Sequence, residues 1–251
     1  MSVLALRLGG PLQSWGGSQR LDRYRRTEPF PTKSAVVGLL AAALGRTRSE
    51  SVEDITGLRF GVRGDRPGEV IRDFHTLSSL FDEKRRFAPE GGRLPTASGS
   101  YRPTAASTHV TERFYLTDAC FVAGLEGEMP VLEKLDEALR RPAFPLFLGR
   151  RSCPPDHPIR LGIHEGTLLE ALSIIPWQPG AGREEPAAVV TCEAVVEDPD
   201  GDREVIDEVR SFHPVYRAYS RRRVRHYYLD VPNPSVAEPE RGDPMALLEE
   251  V

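Results

Sequence analysis

The chain lacks the features that would tie it to an oxidising compartment, a membrane or a preformed metal centre. Its three cysteines, Cys120, Cys153 and Cys192, are far apart and odd in number, which fits neither a disulfide framework nor paired zinc ligands. A reducing compartment, the cytoplasm, is the expectation. No apolar run follows a basic start and no segment reaches membrane-spanning length, so no membrane role is expected. Net positive charge is absent too: a formal charge of −4 over 251 residues argues against a generic nucleic-acid binder, whose usual footprint is a basic surface. There is no GxSxG, P-loop or dinucleotide fingerprint, and no Cys or His pair at metal-ligand spacing. Hydrolase, NTPase and metalloenzyme readings therefore have no residues to stand on, and no cofactor or metal is expected. What remains, with 39% hydrophobic residues, is a globular chain long enough for one large or two small domains.

The charges that are present are segregated. Acids dominate Glu193, Glu197, Asp198, Asp200, Asp202, Glu204, Asp207 and Glu208. Arginines gather at Arg20, Arg23, Arg25 and Arg26, at Arg150 and Arg151, and at Arg217, Arg221, Arg222, Arg223 and Arg225. A single charge run is commonly a solvated face. Several arginine clusters carry more weight, because the guanidinium fork suits bidentate phosphate contacts.

The chain is organised around residues 29–46. Pro29 and Pro31 keep the backbone extended, Thr32 can cap a helix that starts just beyond it, and Gly45 suits a left-handed stop. Between them, Ala35 to Leu44 is apolar on nearly every face and predicts a helix buried against a sheet. Polarity is confined to its start, where Lys33 and Ser34 sit beside the unpaired amides of the first turn. Those amides favour an anion such as a phosphate. The alternative is a core helix that begins with a solvated lysine.

Val3 to Leu8 alternates as a strand, Gly9-Gly10-Pro11 breaks it, and Gln13-Ser14-Trp15 follows in a loop whose indole can stack on a base or plug the sheet. After the helix, strands are expected at 58–62 and 70–75. From 76 to about 112 the pattern dissolves and predicts a projecting insertion. Phe114–Leu116 and Cys120–Leu125 restore strand character, a second helix follows Pro130, and Ile159, Leu161 and Ile163 alternate again. This is an α+β order, that of a ferredoxin-like (RRM-like) sheet with helices on one face, over residues 1–165. Residues 166–251 read as a smaller β-rich domain, with strands near 189–196, 204–209 and 224–231 and a proline- and acid-rich tail.

Between the second helix and its strand lies Phe147-Leu148-Gly149-Arg150-Arg151-Ser152-Cys153-Pro154-Pro155, where glycine allows close approach and two arginines and a serine supply phosphate donors. Together with Leu6-Arg7-Leu8-Gly9-Gly10-Pro11-Leu12-Gln13-Ser14-Trp15-Gly16, Phe30-Pro31-Thr32-Lys33-Ser34, Asp73-Phe74-His75-Thr76 and Arg113 with Tyr115-Leu116, this loop closely resembles the CasD family of type I-E CRISPR Cascade subunits, within the RAMP superfamily. The match runs in order to about residue 165. The resemblance implies a noncatalytic subunit that binds and caps the 5′ handle of CRISPR RNA, with the insertion as a thumb between neighbouring subunits. The implied partners are a CasC-type backbone subunit, a CasA-type large subunit and, indirectly or at the seed end, target DNA. The expected RNA-binding residues are Gln13, Ser14, Trp15, Lys33, Ser34, Arg113, Gly149, Arg150, Arg151, Ser152 and Cys153. A competing reading is a metal-free endoribonuclease that processes precursor RNA, with His75 as general base and His109 and Tyr24 as helpers.

Overall fold

The computed structural model describes residues 1–16, 24–81, 87–92, 100, 108–179, 187–213 and 215–234. Its central helix, α1 (Lys33–Ala43), has the ends the sequence predicts. Thr32 is its extended N-cap, the Thr32 side chain accepts from the Ala35 amide, and Gly45 follows at φ +76°. Val36, Val37, Leu39 and Leu40 are buried, so most of its circumference faces protein.

The sheet is antiparallel apart from the two-residue β2 (Tyr24–Arg25). Strand β1 (Ser2–Gln13) pairs on one side with β7 (Arg160–Glu165) and on the other with β6 (Thr108–Gly127), which pairs with β3 (Arg59–Arg66). Alternation along β1 divides two layers. Leu4, Leu6 and Leu8 pack with α1 and with α3 (Met129–Arg140), whereas Val3 and Ala5 pack with α4 (Leu168–Ile174) on the opposite face. Helix α4 is an addition to the expected one-sided arrangement. Its Thr167–Glu170 capping box was the available signal. A short α2 (Glu53–Thr56) follows α1.

Three further differences have physical causes. Gly9-Gly10-Pro11 does not end β1, because β6 keeps pairing with it to Gln13 while β7 has already left at Leu6; Pro11 lies where no strand needs its missing amide on that side. The two strands expected at 114–125 are one, β6, and it continues outward against β4 (Glu69–Phe81) as far as Ser78 opposite Thr108. Part of the irregular stretch 76–112 is thus paired strand, with β5 (Phe87–Gly92) beside β4; residues 82–86, 93–99 and 101–107 of it lie outside those described, as does the tail from 235. Finally, β8 (Val189–Glu197) pairs with β3, and β10 (Ala218–Pro232) pairs with β8 and with the terminal strand β9 (Arg203–Ser211). The strands expected as a separate small domain are therefore hydrogen-bonded into the same sheet.

A buried ion pair fastens α4 to that sheet. Arg63 and Asp65 of β3 are fully enclosed and joined at 2.6 and 2.7 Å. Arg63 also donates to the Leu172, Ile175 and Pro176 carbonyls at the end of α4, and Asp65 accepts from the Gln178 amide at 2.7 Å. The three thiols are free and buried; burial pushes Cys120 up to about 12 and Cys192 to about 11, so neither is a ready nucleophile. No helix among the described residues is long and apolar enough to cross a membrane.

Candidate nucleic-acid interface

The loop after α3 is pinned to the end of β1 by backbone hydrogen bonds. Leu148 and Cys153 are its buried anchors, and the Leu148 amide donates to the Cys153 carbonyl at 2.7 Å. The Ser14 amide donates to the Leu148 carbonyl at 3.1 Å. Gly149 then turns at φ +90°, and a Cβ there would lie 1.8 Å from the Ser14 carbonyl oxygen. Only glycine permits this approach. At the loop's far end Arg7 reaches Asp156 at 2.5 Å and holds its carboxyl below the ordinary range against the opposing effect of burial.

Pinned this way, the loop aims Arg150 across the sheet. Its guanidinium lies 4.6 Å from the centre of the Tyr115 ring, and its Nη2 donates to the Arg25 carbonyl at 2.8 Å. Arg25, on β2 (Tyr24–Arg25), stands opposite Arg113 of β6 in a parallel pairing. Three guanidinium groups thus converge. Arg25 Nε, Arg113 Nε and Arg150 Nη1 are all buried and have no hydrogen-bond partner among the described residues. Burial alone would push the Tyr115 phenol up, but Ser152, Arg150 and Arg113 outweigh it and hold the phenol below its ordinary value. Unsatisfied buried donors are costly, and three guanidinium groups each leave one unsatisfied on the same wall. Arg151 and Ser152 lie exposed beside it. Asp73 stands opposite Arg113 in the β4–β6 register and is hydrogen-bonded to His75.

The remaining expected residues are placed differently. Gln13 is fully buried: its amide nitrogen donates to the Leu8 and Ala119 carbonyls, and its oxygen accepts from the Trp15 indole at 3.0 Å. Trp15 is likewise enclosed, as the plug of the sheet and not a stacking surface. Ser14, Ser34 and Cys153 are buried; the Ser14 hydroxyl donates to the Phe114 carbonyl.

Lys33 is corrected most clearly. It is 1% exposed, and its ammonium sits 2.9 Å from Glu197 and 3.6 Å from Glu208. The helix start does hold an anion, as its dipole favours, but the anion is the chain's own Asp207, which accepts from the Lys33 amide at 2.8 Å and is gripped by Arg222. Replacing Lys33 by Met is expected to destabilise the fold by about 3 kcal/mol, as breaking a buried pair does, without altering the RNA affinity of the folded fraction. Thermal melting and a binding titration on the same sample separate the two effects; a loss of affinity at unchanged stability would return Lys33 to the interface.

The arginine run of β10 is largely neutralised across strands, Arg221 by Glu204, Arg222 by Asp207 and Arg225 by Asp198. That is the solvated-face outcome, with one pair buried. Conversely, the site includes two residues that motif reading did not place in it. Arg25 was visible only as one member of an arginine cluster, and Tyr115 only as a neighbour of Arg113.

Chains of similar sequence and fold occur among known proteins. The chain is 34% identical to the CRISPR system Cascade subunit CasD of Escherichia coli (strain K12) over 175 residues, 64% of this chain and 70% of that protein. A solved CRISPR RNA-guided surveillance complex contains a chain of similar fold, with a TM-score of 0.77 and 34% identity over 95% of both chains. A second solved structure, of a Cas protein, superposes with a TM-score of 0.68 and 38% identity over 92% of this chain and 98% of that one. The family described as CRISPR-associated protein (Cas_Cas5) matches residues 3–225, nearly the whole described sheet, and the chain belongs to that family.

Proposed function

We propose that the protein is a noncatalytic subunit of a Cascade-type surveillance complex, in which it binds and caps the 5′ handle of CRISPR RNA. The observation that carries this reading is the set of three buried guanidinium nitrogens of Arg25, Arg113 and Arg150, partnerless among the described residues, around Tyr115. Their spacing on strand ends and a pinned loop suits a single RNA strand held by its phosphates and sugars, with Arg151 and Ser152 at the rim. The antiparallel order β7-β1-β6-β3, with α1 and α3 on one face, supports a ferredoxin-like domain as the platform. The arm of β4 and β6 that projects beyond it is suited to a thumb between neighbouring subunits, a CasC-type backbone and a CasA-type large subunit, the second of which engages target DNA.

An acidic chain can hold RNA in this way because the three arginines act through desolvated, preoriented donors and not through net charge. Removing both Arg113 and Arg150 by alanine substitution is expected to weaken handle retention by more than tenfold and to flatten the salt dependence of binding by about 0.7 for each phosphate that is no longer neutralised. Unchanged retention in a normally folded double variant refutes the assignment. The hydrogen-bonded His75–Asp73 pair opposite Arg113 keeps the endoribonuclease reading testable. Defined, metal-free cleavage of repeat RNA that is abolished by His75→Ala would replace the binding reading.

A further inference from the structure

Between Glu208 and Asp230 the chain carries six arginines and no acid, and the turn that joins β9 to β10 falls in this stretch. Phe212 anchors the turn by packing over Gly38 of α1, where an added Cβ would lie 3.5 Å from its ring. Beyond it His213 holds the backbone: its Nδ1 accepts from the Val215 and Tyr216 amides at 3.2 and 3.3 Å, and its own amide donates to the Ser211 hydroxyl at 3.1 Å. The same imidazole stacks on the Tyr216 ring, with centroids 5.1 Å apart and planes at 26°. Tyr216 is nevertheless 74% exposed, so its face away from His213 is open.

The nearby carboxylates of β9 are already taken. Glu204 pairs with Arg221, Asp207 with Arg222, and Glu208 with Arg210 and Lys33. Helix α2, which packs against β9, adds Glu53 and an Asp54 that Arg46 holds. Arg217, next to Tyr216, lies 5.3 Å from the centre of the Tyr219 ring, and among the described residues it pairs with no carboxylate. We infer that this turn is a further nucleic-acid contact, separate from the Arg25–Arg113–Arg150 cluster, at which an unpaired base of a single strand stacks on the open face of Tyr216 while its phosphate meets Arg217. The base becomes the third plane on the His213–Tyr216 pair, a contact that tolerates any sequence because every base has a π-face. A ring already fixed by its neighbours has little freedom left to lose on binding. RNA and DNA share this chemistry.

The test uses the full chain and fluorescein-labelled uridine and thymidine oligomers of about twelve nucleotides, within the span of one single-strand site. Saturable binding of one or both is expected, and a preference for either sugar names the source while supporting the contact. Tyr216→Leu, which keeps an apolar side chain but removes the plane, should weaken binding about fivefold or more, whereas Tyr216→Trp should bind as tightly as the wild type. With 4-thiouridine or 4-thiothymidine in the oligomer, photocrosslinks should fall on Tyr216 or His213. They should persist in Arg113→Ala/Arg150→Ala, so that the turn is judged apart from the arginine cluster. Unchanged affinity in Tyr216→Leu overturns the inference and assigns the exposed Val215 and Tyr216 to a protein contact. It is equally overturned if neither oligomer binds saturably, if a blunt duplex binds as tightly as the single strand, or if crosslinks fall only outside the turn.

Discussion

Replacing Arg63 by Met is expected to lower stability by about 3–5 kcal/mol, the cost of leaving a buried carboxylate without its partner. For a chain of this size that corresponds to a fall of about 6–20 °C in the thermal midpoint. Arg63 and Asp65 have no solvent-exposed side-chain surface, so water cannot take the place of the missing guanidinium. The Leu172, Ile175 and Pro176 carbonyls would be deprived of their donor in the same step, and α4 of its fastening. Adding Asp65→Leu should recover part of the stability, because removing both charges is less costly than stranding one. A midpoint drop of only a degree or two in the single variant would show that the pair does not hold this corner together.

The second large effect is expected from the smallest substitution. Gly149→Ala puts a methyl group where the Ser14 carbonyl oxygen lies 1.8 Å away, on a backbone at φ +90° that L-residues rarely adopt. Strain and overlap each cost about 1–3 kcal/mol, so the loop is expected to lift from β1 rather than absorb both. Lifting moves Arg150 off Tyr115 and away from the Arg25 carbonyl. On the proposed reading, handle retention should then fall as far as in Arg150→Ala, although the substitution removes no phosphate donor. The comparison that decides is with Arg151→Ala on the exposed rim, which should keep the fold and weaken binding less. If Gly149→Ala retains RNA as wild type does, the pinned loop is not what positions the arginine.

Local signals were readable in the sequence wherever one residue type has one physical use. Thr32 and Gly45 bracket α1, Pro130 opens α3, and Gly149 marks the close approach. The ten-residue apolar run could only be a buried helix. Pairing between distant segments was not readable in this way. Pro11 reads as a strand breaker until one sees that β7 has left that side of β1. Lys33 reads as a phosphate ligand because the helix start calls for an anion, and nothing local reveals that Asp207, 174 positions along, supplies it. The arginines of 217–225 read as a basic patch until the fold brings Glu204, Asp207 and Asp198 to three of them. The site was half legible for the same reason: Arg150 and Arg113 stand in motifs, with Tyr115 beside Arg113, but only the fold brings Arg25 opposite Arg113 and Arg150 over the Tyr115 ring.

The carboxylates that neutralise Lys33 bear on the order in which the molecule can assemble. Asp207, Glu197 and Glu208 lie on strands made long after α1, more than 160 residues beyond Lys33. Until the last strands arrive, a nascent α1 carries an ammonium that it cannot bury, and its first half-sheet lacks the neighbour that β8 provides to β3. Contacts of such long sequence separation are slow to form. The amino-terminal half is therefore a late-committing folding unit: on the ribosome it should remain loosely packed and protease-sensitive until residues 189–232 have emerged, and it should compact only when the hairpin of β9 and β10 docks.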